Sequence, residues 1–238
     1  WMAIARAAEL ADDKPTALAA LAAAASLGAE QAPAEQARLH RTAGDLEGAL
    51  DIVRTELATD PPIARRMRLQ SELAQLLTEL GQEPEAVVAA YLDMLSVEPD
   101  QTEALAGIES PARALEMWDE LARAFRGAPA TPRNLEVLAE ALAKIAEWSE
   151  LVEVKRRQLD AATMPADKAR RAAELAHVYE HELGDTEAAM RMLVIAQAAA
   201  PDDARQHELS RLLRAGQRAA ELAQVLEREL PTVKPTDT

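Results

Sequence analysis

The sequence predicts an all-α protein assembled from repeated helical hairpins, on three observations. Ala, Leu, Glu, Arg and Gln dominate the 238 residues, and these side chains lose little entropy on entering a helix. β-branched residues are sparse and rarely alternate with polar ones, so no strand pattern emerges. Glycine, proline and acidic breakers divide the chain at a spacing of roughly 34 residues, the range in which helix-pair repeats are built.

Taken in order, helices are expected at 1–11, 15–27, 32–43, 46–58, 62–80, 84–97, 101–109, 112–126, 132–146, 148–161, 166–183, 186–199, 203–214 and 217–229. They pair into hairpins whose inner turns fall near Asp12, Gly44, Gly81, Ser110, Glu147, Gly184 and Gly216, about 29 to 37 residues apart. Acid pairs such as Asp12–Asp13 and Asp202–Asp203 stand at helix starts, placed to accept from free backbone N–H groups. A longer echo runs from "ARRMRLQSELAQLLTELG", ending at Gly81, to "ARRAAELAHVYEHELG", ending at Gly184. The closing "PTVKPTDT" has nothing to bury and reads as a disordered tail over 231–238, which leaves 1–230 as the repeat array. The helical opening "WMAIARAAELA" reads as part of something longer or a processed product.

Specific positions sharpen the repeat. "LAHVYEHELGDTEAAMRMLVIAQAAAP" places Leu175, Ala176, Tyr179, Gly184, Asp185, Ala189, Ala196 and Pro201. "LAQLLTELGQEPEAVVAAYLDMLSVEP" places Leu73, Ala74, Leu77, Gly81, Ala86, Tyr91 and Pro99, with one extra residue before Tyr91. "AGDLEGALDIVRTELATDP" adds Gly44, Asp45, Ala49 and Pro61, and the opening adds Trp1, Ile4, Ala5, Ala17 and Ala24. This pattern resembles the tetratricopeptide repeat family. The resemblance implies a right-handed α-solenoid of about seven hairpins over 1–230, with the registers of 101–126 and 131–160 the least regular. Small residues let the helices of a hairpin approach, turn glycines take a left-handed conformation, and proline opens the next helix. The three tryptophans, Trp1, Trp118 and Trp148, are expected to pack between hairpins.

The formal net charge of −15 argues against nucleic-acid binding, which needs basic surface to displace counterions. No cysteine is present, so disulfides and thiol chemistry are excluded and the compartment, cytoplasmic or periplasmic, stays open for a soluble chain. No apolar run reaches membrane-spanning length, so direct membrane insertion is not expected, and no signal peptide is visible. Arginine-over-lysine, alanine-rich usage points to a GC-rich bacterial genome. Phosphate-loop, dinucleotide and nucleophile-elbow motifs are all missing, and no cofactor is expected.

One motif invites chemistry. "HVYEH", His177 to His181, matches the H-x-x-E-H zinc-peptidase signature. With Leu175 at 0°, the buried face holds Ala172, Ala176, Tyr179 and Leu183, while His177 and His181 fall at about 200° and 240° on the solvent side. A catalytic zinc needs a third ligand and an enclosed cleft, and neither Glu187 nor Glu208 sits in a motif that supplies one. A zinc hydrolase is the remote alternative.

The expected function is non-enzymatic: a scaffold or adaptor holding a peptide or partner helix, within a larger complex or alone. The family resemblance implies that first-helix residues away from the hairpin core line a concave binding face. Those residues are Arg38 and Arg41; Arg68, Gln75 and Glu79; Arg133, Glu136, Glu140 and Lys144; Arg170, His177 and His181. Arginine binds carboxylates bidentately, which suits peptide recognition in so acidic a chain. The alternative reading is a spacer in an envelope or motility assembly, held by end-to-end contacts.

Overall fold

The computed structural model describes residues 1–216; the expected helix 217–229 and tail 231–238 lie outside the described residues. The elements are α1 (Met2–Leu10), α2 (Lys14–Ser26), α3 (Ala32–Thr42), α4 (Leu46–Leu57), α5 (Ile63–Leu80), α6 (Pro84–Val97), α7 (Thr102–Ala114), α8 (Trp118–Arg126), α9 (Pro132–Lys144), α10 (Trp148–Asp160), α11 (Pro165–His177), α12 (Thr186–Ala199) and α13 (Asp203–Ala215). A π-helical turn, Val178–Glu182, continues α11. Among the described residues the fold is all-α and repetitive, as the sequence predicts.

Helix starts are fixed by the residues that the sequence places there. Asp13, Asp45, Thr131, Asp185 and Asp202 each accept a hydrogen bond from the backbone N–H three residues on. Proline occupies the first or second position of α2, α3, α6, α9 and α11, where its missing N–H costs nothing.

The turns inside the hairpins share one closure. A left-handed residue stands at Asp12, Gly44, Gly81, Glu116, Ala146 and Gly184. The next residue's N–H then reaches back five positions, at Asp13 to Ala8, Asp45 to His40, Gln82 to Leu77, Met117 to Ala112 and Glu147 to Leu142, over 2.8–3.0 Å. At the sixth turn Asp185 reaches back six positions instead, to Tyr179, over 2.8 Å. The extra residue is the one the π-helical turn absorbs. It also rotates the end of the helix, so Leu183, expected on the buried face, is 41% exposed.

One expected boundary is wrong. The turn placed near Ser110 lies at Leu115–Met117, and α7 runs through Pro111 to Ala114. Proline inside a helix costs about 3 kcal/mol. Here Ile108 and Ala112, both fully buried around it, hold the helix together.

Contacts cluster into two compact units, Trp1–Pro129 and a second beginning at Ala130. In the first, hairpins α1/α2, α3/α4, α5/α6 and α7/α8 follow one another and each helix packs on the next. In the second, α9/α10 is followed by α11/α12 and then α13. Alanines stand at the closest approaches: Ala17, Ala49, Ala74, Ala104, Ala172, Ala189 and Ala196 are all 0% exposed. Leu76, Leu77, Val88, Leu121, Leu142, Leu151 and Leu175 fill the space between them. Trp1 and Ile4 depart from expectation, being 57% and 49% exposed. On α1, Ala5 and Ala8 take the core side, and no described helix covers the opposite face. Trp118 and Trp148, at the first positions of α8 and α10, are half-buried.

Candidate partner-binding faces

In the first unit the candidate side chains are tied to neighbouring hairpins. Arg38 on α3 donates from Nη2 to both carboxylate oxygens of Glu9 on α1, at 2.7 and 2.9 Å, and from Nε to Glu35 at 2.8 Å. Arg41, one turn further along α3, pairs with Glu79 on α5. On α5, Ser71 Oγ and Gln75 Nε2 both donate to Glu103 on α7, each at 2.9 Å. The sequence-selected groups thus form a ladder of polar contacts joining successive first helices, α1 to α3 to α5 to α7. Arg68 differs: it is exposed, and among the described residues its Nε donates to Ala64 O of its own helix, at 3.3 Å.

The second unit repeats the theme. Glu136 on α9 accepts from Arg171 on α11 at 3.4 Å. Glu180 accepts from Arg211 on α13, which also pairs with Glu208. Arg170 instead pairs within α11, with Asp167 at 3.1 Å and Glu174 at 2.8 Å. Arg133, Glu140 and Lys144 are exposed on α9. His177 and His181 are exposed too, as the helical geometry predicts, with their rings stacked 4.2 Å apart.

Of these contacts between helices, only Arg41–Glu79 joins two residues that the sequence singles out. Glu9, Glu103, Arg171 and Arg211 carry no motif; packing brings each against a partner that lies about one repeat away in sequence. Nearer the core, Arg65 bridges the buried Glu56 and the backbone carbonyl of Glu30, tying the α2–α3 connection to α4 and α5.

Two carboxylates feel opposite environments. Burial pushes Glu72 up, and Glu56 adds to the effect while Arg41 opposes it. Burial also acts on Glu174, but the hydrogen bonds and charges of Lys155 and Arg170 outweigh it and hold Glu174 below the usual carboxylate range. At the turn into α4, Asp45 is lowered by the Gly48 backbone N–H and by His40, whose Nδ1 lies 2.7 Å away. A Cβ at Gly48 would lie 2.5 Å from that nitrogen, so glycine is what lets the ring approach the cap.

Among the described residues the zinc-peptidase arrangement does not assemble. Glu180, the general base of the motif, is engaged by Arg211. Among the described residues no group of three or more His, Asp or Glu side chains is gathered as a metal would require. A cleft between α5 and α6, lined by Arg66, Met67, Gln70, Asp93 and Val97, measures about 90 Å³, well below a substrate-sized pocket. No described helix is long and apolar enough to cross a membrane.

No family model matches the chain, and no curated protein matches it. Among solved structures, a chain of the Naa15/Naa10 assembly bound to HypK-THB superposes with a TM-score of 0.59 at 14% identity, over 95% of this chain. This chain spans 35% of the length of that one. MamA matches with a TM-score of 0.38 at 18% identity, over 70% of this chain and 95% of that one. The TPR2AB domain of yeast Sti1 in complex with pHSP90 gives 0.38 at 13%, over 94% of this chain and 86% of that one. The likeness lies in the fold, the helical-hairpin repeat that the sequence resembles.

Proposed function

We propose that the chain is a non-enzymatic protein-interaction scaffold that holds a peptide segment or a partner helix on the faces of its first helices. The observation that carries this reading is the ladder of polar contacts across those helices. Arg38–Glu9, Arg41–Glu79 and Gln75–Glu103 fix side chains on a face that stays open to solvent. Side chains already held in place lose less entropy when a partner docks. Arg68, with no carboxylate partner among the described residues, is the guanidinium best placed to meet a partner carboxylate. A fold of this kind also occurs within a protein assembly in the Naa15/Naa10 structure.

The test is affinity capture with the chain as bait, beside a variant carrying Arg68→Glu, Arg133→Glu and Arg170→Glu. A stoichiometric protein retained by the first and lost by the second supports the reading; equal capture by both retires these residues as its binding face. One observation favours the spacer alternative: Trp1, Ile4 and Leu10 leave apolar surface on α1, with Leu10 90% exposed. Capture that survives the arginine changes but fails in Ile4→Glu with Leu10→Glu would select that reading.

A further inference from the structure

The first hairpin carries more apolar surface than its described neighbours enclose. From Pro15 to Ala29 the sequence holds no charged residue. Over that stretch α2 exposes Ala19 and Ala22, and Leu27 at its end is 73% exposed. A helix apolar on every side is ordinarily covered on every side. On α1, Ala5 and Ala8 join the core with Ala17, Ala20 and Leu21. The opposite face presents Ala3, Ile4, Ala7, Leu10 and Ala11, all exposed. At 100° per residue these five fall within about 60° of Ala7. The charges of α1, Arg6 and Glu9, stand about 100° and 160° round the helix from Ala7. Glu9 is held by Arg38, so the stripe lies on the other side of α1 from the polar ladder.

We propose that this stripe is an interface with a second copy of the chain, the two α1 helices packing antiparallel about a two-fold axis at Ala7. The pattern is symmetric about that residue: Ala3 and Ala11 flank it at equal distance, and so do Ile4 and Leu10. In a two-fold contact residue i meets j and j meets i. Ile4 and the second copy's Leu10 share a level but lie on opposite flanks, about 60° each way. Ile4 therefore meets Ala11 of the second copy, Leu10 meets its Ala3, and Ala7 meets Ala7. Each large side chain falls on an alanine, which lets the helices approach to about 8 Å. Charge favours a second copy here: at a net −15 the rest of so acidic a surface repels one, while this stripe carries no charge. One hairpin on another buries on the order of 1,000 Å² in total, the low end for a specific pair, so the dimer is expected in the micromolar range. It stands whether or not the polar ladder holds a partner.

The experiment is sedimentation velocity of the full chain across the micromolar range. A reversible monomer–dimer equilibrium is expected, with nothing larger, because a two-fold contact closes on itself. Ala3→Glu and Leu10→Lys should each raise the dissociation constant about tenfold or more, since each buries an unpaired charge. Combined in one chain they set a carboxylate against an ammonium twice across the axis, and should recover part of the loss. The chain has no cysteine, so a single introduced thiol reads the axis directly. With helix axes about 8 Å apart and Cα atoms about 2.3 Å off each axis, two facing Cα atoms fall within reach of a disulfide. Mild oxidation should turn Ala7→Cys into a covalent dimer and leave Ala89→Cys, exposed on α6, a monomer. Circular dichroism confirms that these surface variants keep their helices. A parent chain monomeric throughout, a species growing beyond the dimer, a double variant no better than the singles, or equal crosslinking at the two cysteines would each overturn the proposal.

Discussion

Tyr91 on α6 occupies the space that a side chain at Gly107 on α7 would need: a Cβ there would stand 2.3 Å from Cζ of the phenol ring. Gly→Ala in a helix is ordinarily worth about 1 kcal/mol in stability. Here the sign reverses. Tyr91 is only 7% exposed and cannot swing aside without disturbing the α6–α7 contact. Gly107→Ala is expected to destabilise by about 1–3 kcal/mol in urea unfolding. In a Tyr91→Leu background the same change should cost less; an equal cost in both would mean the ring is not the obstacle.

Glycine is missing from two turns that would accept it. Glu116 and Ala146 hold φ of 55° and 59°, a region costly for any residue with a Cβ. Glu116→Gly and Ala146→Gly should each raise stability by about 0.5–1 kcal/mol, after the entropy that glycine adds to the unfolded chain. Gly81→Ala, at φ 64°, should lower it. Thermal unfolding of the three variants decides the matter, and a drop in melting temperature for Ala146→Gly would contradict the assignment.

The two arginine contacts of α5 differ in worth. Arg41–Glu79 lies at the surface, so Arg41→Ala should change stability by less than about 1 kcal/mol. Arg65 faces Glu56, which is 9% exposed. Removing it leaves a buried carboxylate without its cation, at an expected cost of about 2 kcal/mol. High salt should shrink the first effect and leave most of the second.

Glu72 and Glu174 predict opposite pH responses. The folded-state pKa of Glu72 is raised, so its ionisation opposes folding once pH climbs above the unfolded carboxylate value. Glu72→Gln should therefore raise the melting temperature at pH 7, with the gain vanishing below about pH 4. The folded-state pKa of Glu174 is lowered, so it stabilises above the unfolded value, and that stability is lost as pH falls through the folded value. Glu174→Gln should lower the melting temperature at pH 7 and be neutral in acid. Parallel profiles for the two variants would refute both assignments.

What was legible in the sequence was whatever repeats along it. Helical spacing puts Leu175, Ala176 and Tyr179 on the buried face, the family resemblance puts Ala17, Ala49 and Ala74 at close helix contacts, and all six are buried. Breakers were legible only where local chemistry was decisive. Pro111 reads as a stop, yet buried neighbours on both sides carry the helix through it. Glu116 and Ala146 give no sign of a left-handed turn, since neither residue type favours one. The exposure of Trp1 was equally hidden, because a helix face looks the same in sequence whether or not another helix covers it. The polar ladder escaped notice for a different reason. Arg38 and Glu9 are 29 residues apart, and only the packing of one hairpin on the next brings them together. First-helix arginines could be listed from the sequence; which of them already hold a carboxylate could not.

The π-helical turn at Val178–Glu182 bears on how such a chain tolerates change in length. A residue added to an unbroken α-helix rotates everything after it by about 100° and would carry the next hairpin's apolar stripe out of contact. Here the surplus is taken up before Gly184, and Asp185 still caps α12 from the same place in its turn. The following helices keep their phase: Ala188, Ala189, Leu193 and Ala196 of α12 are buried, as are Leu209 and Leu212 of α13. The surplus is thus confined to one turn of one helix, where Leu183 leaves the buried face that helical geometry predicts for it. A repeat unit of this kind takes up a surplus residue locally and leaves the next hairpin in register.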